Sequence, residues 1–220
     1  MKFFLSTSLV LLCTLGCAFA STQTPWSSGI IITHDHQLLK GEIRYDYAHD
    51  LVMFRETEEA ALQTLTTHQV SSFRYYDPEE NVMHYFKTYA YQPTAYVTIP
   101  SFFEIVVEGE VAYLRKHNPY PYYAPTESRR FAVKERDQVS PHILCYDYYV
   151  YLNNEIIRAS RFNKEVLPLL EDQNIAIRHH IKENKLRTYD IRDQIQLIQY
   201  TNEQLGSHPH TNLSASIRPS

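Results

Sequence analysis

An α+β fold, an antiparallel β-meander curled into a partial barrel or sandwich and followed by two or three helices, is predicted by three observations. Between about residue 28 and residue 160, short runs rich in Val, Ile, Phe and Tyr are separated by polar turns, the rhythm of successive antiparallel strands. In Ser101–His117 polar and apolar residues alternate with period two. After Phe162 the apolar spacing changes to that of helices.

The elements follow in order. Ser21–Ser28 is a polar lead-in, with Trp26 as a plug for the core. Gly29–Thr33 is a short strand, and His34-Asp35-His36-Gln37 a turn. Strands are expected at Leu38–Asp46, Asp50–Arg55, Leu62–Thr67 and Val70–Tyr76. Asp77-Pro78-Glu79-Glu80-Asn81 is a turn, and Val82–Tyr89 the next strand.

In Ser101–His117, Phe103, Ile105 and Val107 form an apolar face, while Glu104 and Glu108 mark a wet one. Glu108-Gly109 makes the hairpin turn. Asn118–Pro141 is a long loop whose first eight residues hold three prolines, with a short strand at Phe131–Val133. Ile143–Leu152 and Glu155–Ala159 form a hairpin around Asn153-Asn154, residues that tolerate positive φ.

Asn163 caps a helix that runs to Leu170 and is limited or kinked by Pro168. A second helix covers Asn174–Asn184. A third starts at Thr188 or Asp190, with Ile191, Ile195, Ile198 and Leu205 on one face and Gly206 as its stop. The helical segment is thus 161–206, and 207–220 is a polar, disordered tail.

The first twenty residues read as a secretory signal peptide: Lys2, an uncharged apolar run Phe3–Cys17, and Ala18-Phe19-Ala20 before the cut. The run is shorter than the ~20 residues of a spanning helix. Cleavage would leave Ser21 first, no transmembrane segment, and a periplasmic or secreted protein. Lipid anchoring at Cys17 is disfavoured by Thr14, where a lipoprotein signal favours leucine.

Cys13 and Cys17 leave with that segment, so Cys145 has no partner for an intramolecular disulfide. It sits at the start of an apolar strand and is expected to be a small buried hydrophobe.

The 220 residues carry a net charge of −4, which disfavours a nucleic-acid partner, since phosphate binding needs a concentrated basic face. Tyrosine is abundant, at 18 residues, and glycine scarce, at five. Tyrosine suits half-buried sheet positions and recognition surfaces. Tyr120, Tyr122 and Tyr123, on the proline-stiffened loop, are the candidate binding residues; such rings could stack on a sugar or grip a peptide.

Catalytic signatures are weak. Gly-x-Ser-x-Gly, His-Glu-x-x-His and phosphate-cradling glycine loops are missing from the sequence. His34-Asp35-His36 has ligand-like spacing but falls in a turn, and His179-His180 diverge on a helix, so no metal and no cofactor is expected. Glu104 and Glu108 lie roughly 13 Å apart along one strand, too far for a carboxylate pair at a glycosidic bond.

Four strings together, Gly41–Asp46, Val70–Asp77, Phe102–Lys116 and Ile181–Leu186, resemble uncharacterised exported proteins of Bacteroidetes-type bacteria. The resemblance implies export and a β-then-α layout. It carries no known activity and no catalytic residue.

The leading expectation is a non-catalytic envelope or secreted protein that binds a protein, a peptide or a glycan. An extracytoplasmic hydrolase would instead bring two or more of His34, His36, His68, His84, Glu104 and Glu108 together with shifted pKa values. A structural subunit of an envelope complex would dock through the helical tail.

Overall fold

The computed structural model describes residues 25–78, 81–94, 96–118, 146–173 and 176–207. The leader, the Tyr120–Tyr123 cluster, the expected strand 131–133, Cys145 and the tail lie outside them.

Ten strands form one antiparallel sheet: β1 (Ser27–Thr33), β2 (Leu38–Asp46), β3 (Leu51–Arg55), β4 (Gln63–Thr66), β5 (Val70–Asp77), β6 (Val82–Thr94), β7 (Val97–Val107), β8 (Ala112–His117), β9 (Tyr146–Leu152) and β10 (Glu155–Arg158). Their order is β10-β9-β8-β7-β6-β5-β1-β2-β3-β4. The meander and the following helices are as the sequence predicts.

The sheet is curled but not closed. Only Thr67-His68-Gln69 joins β4 to β5, so Thr66 and Val70 are at most about 14 Å apart. In a flat sheet the four intervening strand spacings would separate them by about 19 Å sideways alone. The tight link therefore forces the first half of the sheet to roll up. Inside the roll Ile31, Ile43, Tyr45, Val52, Phe54, Leu65, Val70, Phe73, Phe86 and Phe102 form one apolar cluster. The same curl lays the β2–β3 turn on β8, where Lys116 Nζ donates to Asp50 Oδ2 at 2.6 Å and Tyr47 packs on His117.

Trp26 does not plug this core. Its ring lies against the guanidinium groups of Arg44 (4.8 Å) and Arg55 (4.4 Å), which hold it on the outer surface. Asn153 and Asn154 both take positive φ, as a two-residue hairpin between β9 and β10 requires.

The second half of the sheet carries the helices. Ala159–Arg161 is a 3-10 turn, Phe162–Val166 a π-helical turn, and α1 (Leu167–Glu171) follows. Asn163 therefore caps nothing. Pro168 falls in the first turn of α1, where its missing N–H costs no helical hydrogen bond. Then come α2 (Ile177–Glu183) and α3 (Ile191–Ser207). Helix α3 runs through Gly206 rather than stopping before it. No helix among the described residues is long and apolar enough to cross a membrane.

The line of α3 that faces the sheet is Gln194, Leu197, Ile198 and Thr201, all buried. Two are polar, and each is satisfied. Thr201 Oγ1 donates to the Leu197 carbonyl, while Gln194 Nε2 donates to the Thr188 and Ala159 carbonyls. Gln194 Oε1 accepts from the Tyr113 hydroxyl at 2.7 Å. Tyr113→Phe strips that acceptor of its donor in a dry interface. Chemical denaturation should show a loss of about 1–2 kcal/mol with an unchanged m-value.

Candidate functional site

The inward face of β5–β9 joins the rolled core to the helix-covered core, and three charged or titratable side chains sit at the junction. Glu104 on β7 lies cross-strand from Arg115 on β8 and from Phe86 on β6. Both of its oxygens are engaged. Arg115 Nε donates to Oε2 and Arg115 Nη2 to Oε1, each at 2.6 Å. His84 Nδ1 bonds to Oε1 at 2.7 Å, and its Nε2 points to Asp77 Oδ2 at 3.9 Å. The Tyr146 ring backs the Arg115 guanidinium at 4.3 Å, and the Tyr75 ring packs beside His84.

The wet face expected for Glu104 is thus corrected: Glu104 is 6 % exposed, beside the fully buried Phe102. Period-two alternation separates two faces but does not say which is dry, and here both are covered. On the other face Phe103, Leu114 and Tyr149 are buried under an aromatic layer that includes Tyr89, Tyr91 and Tyr151. A bulge between Ile105 and Val107 moves Val107 off the Phe103 face and into the helix-covered core. Glu108 lies in the β7–β8 turn, exposed and paired with Lys87.

Electrostatics fix the cluster in one state. Burial alone would push the Glu104 carboxyl up. The hydrogen bonds from His84 and Arg115, with the Arg115 charge, outweigh burial and hold it below its ordinary value. Glu104 in turn keeps Arg115 charged against burial. The Tyr75 hydroxyl is pushed well up, first by burial and then by the nearby carboxylate. This arrangement orders a junction. A general acid would need its carboxyl raised, and here it is lowered.

The structure therefore brings His84 and Glu104 together, while His34 and His36 lie in the β1–β2 turn, His68 in the adjoining β4–β5 turn and Glu108 in the β7–β8 turn. His34 Nε2 meets the Thr67 carbonyl at 3.1 Å in the turn next to β5, and His36 is exposed at positive φ. His179 pairs with Glu183 on α2, while His180 stacks on Tyr200 of α3. Among the described residues no three His, Cys, Asp or Glu side chains are placed to hold a metal ion.

A second feature was missed in the sequence. Pairing to β5 ends at Lys87 on one side, and pairing to β8 ends at Glu104 on the other. Beyond those points, among the described residues, β6 and β7 pair only with each other, out to Thr94 opposite Val97. The base of this ribbon is anchored by Tyr91, which packs against Phe103 and Tyr149. Its end stands in solvent: Tyr96 is 97 % exposed, and Val97 and Ile99 are also exposed. Pro93 and Pro100 each remove an edge N–H, which blocks continuous strand addition to the ribbon. The two prolines and the small run around Ala95 hide the strands from a propensity reading.

Fold and site together define a rolled antiparallel sheet with a C-terminal helical layer, a buried ion cluster at its junction and one projecting ribbon. Comparison with protein-family models, curated proteins and solved structures finds no match to this chain.

Proposed function

We propose that the protein is an exported, non-catalytic binding protein that engages another protein through the end of the β6–β7 ribbon. The observation that carries this reading is the exposed apolar end at Tyr96, Val97 and Ile99 on an anchored ribbon. A rigid ribbon presents these side chains at low entropic cost, and its prolines make side chains, rather than backbone, the recognised surface. Aliphatic Val97 and Ile99 favour a protein over a glycan, which would call for flat aromatic platforms.

Export rests on the leader-like residues 1–20 and on the resemblance to exported proteins of Bacteroidetes-type bacteria. A hydrolase built on His84 and Glu104 is the weaker reading, because that carboxylate is already held by two partners.

The test places a benzophenone amino acid at position 96 in the full chain and irradiates cells that produce it. A single cross-linked protein is expected, and Val97→Asp should weaken its binding about tenfold or more with the melting temperature unchanged. Failure to cross-link any protein from position 96 or 97 would overturn the ribbon as the binding element.

A further inference from the structure

The outward face of β1, β2, β5 and β6 is independent of the ribbon and has its own chemistry. One row across the four strands reads Lys40, Ile30, Arg74, Tyr85. The row on one side contains Leu38 and Ile32, and the row on the other Tyr76 and Met83. Leu38, Ile32, Tyr76 and Met83 are all exposed large hydrophobic side chains.

The charges on this face are unbalanced. Glu42, Asp46 and Glu108 are the carboxylates that reach it, and all are occupied: Glu42 by Arg55 at 2.6 Å, Asp46 by His49 and the backbone of its turn, and Glu108 by Lys87 of β6 at 2.7 Å. Among the described residues no carboxylate lies within ion-pair distance of Lys40 or Arg74, and both are exposed. They flank Ile30 about 10 Å apart, two strand spacings. Arg44 on β2 stacks on Trp26 on the same face.

We propose that this face docks on an anionic phospholipid surface. The mixture is that of an interfacial binder: cations for the headgroups, aliphatic side chains for the acyl boundary, and Trp and Tyr rings at the level between them. A chain of net charge −4 gathers uncompensated cations here, so the face is complementary to a negative surface although the whole protein is not. The aliphatic side chains between the cations favour lipid over an acidic polysaccharide.

The experiment is co-sedimentation of the full chain with vesicles of phosphatidylcholine alone and of phosphatidylcholine mixed with phosphatidylglycerol. Tighter binding to the anionic vesicles is expected, weakening with added salt. Lys40→Ala with Arg74→Ala should weaken that binding about thirtyfold. Ile32→Ser with Leu38→Ser should weaken it as well. Binding through the leader, which carries Lys2, would also favour the anionic vesicles but would be unchanged in the variants. Unfolding curves matching the parent show that the variants fold. Equal binding to both vesicles, no loss in the double variants, or binding to poly-glutamate without binding to vesicles would overturn the proposal. The variants leave the ribbon unchanged, so failure of this proposal leaves the protein-binding reading standing.

Discussion

Glu104→Leu is expected to destabilise the protein by about 3 kcal/mol or more, because it strands the Arg115 guanidinium and the His84 ring beside an apolar side chain. Arg115 is only 24 % exposed, so water does not readily replace the lost partner. Replacing both ends, Glu104→Leu with Arg115→Met, should recover much of that loss, since the desolvation of two charges is removed together. Urea unfolding of the two variants decides it. A double variant no more stable than Glu104→Leu would mean that the cluster does not act as a pair.

The same residue sets a pH dependence. The folded Glu104 pKa lies below its ordinary value of 4.5, so its stabilisation is complete above that value and is lost as pH falls through the folded one. Glu104→Gln removes this contribution at every pH. The stability gap between wild type and Glu104→Gln should therefore be widest near neutrality and shrink on the acid side. A gap that stays constant from pH 7 to pH 3 would show that the carboxylate charge is not what stabilises the junction.

These effects locate the limit of what the sequence reveals. Local signals were legible. Alternation marked β2 with its observed bounds, Asn153-Asn154 marked the last hairpin, and the change of period after Phe162 marked the helices. Long-range facts were not. Alternation in Phe102–Val107 is the same whether one face is wet or both are covered, so Glu104 read as solvated. Its partners His84 and Arg115 come from different strands, and only the register joins them. The buried line of α3 was obscured because Gln194 and Thr201, which face the sheet, are polar, while Ile191, Ile195 and Leu205 only flank it. Tyr120, Tyr122 and Tyr123 lie outside the described residues, and the binding reading passes to a ribbon whose prolines disguised it.

A partial-barrel curl was expected of the meander, but its cause was not legible in the sequence: it rests on two of the scarce glycines, and Gly41→Ala should expose this with a loss of about 3 kcal/mol. Gly29 and Gly41 face each other across β1 and β2 on the inner side of the curl. A Cβ on Gly41 would lie 2.3 Å from the Arg55 carbonyl oxygen and 2.9 Å from the Glu56 Cα, so backbone rather than a side-chain tip would have to move. A Cβ on Gly29 would meet the Arg74 carbonyl oxygen at 2.5 Å. Neighbouring strands approach this closely because the sheet bends here, the use of glycine expected at a barrel corner. Gly206 on α3 is the internal control, since nothing lies within 4 Å of its added Cβ, and Gly206→Ala should be neutral or slightly stabilising. Thermal unfolding of the three alanine variants separates the explanations. A large loss at Gly41 and Gly29 with none at Gly206 assigns the cost to the bend, whereas small, equal effects at all three would mean that the short β4–β5 link curls the sheet without help from the glycines.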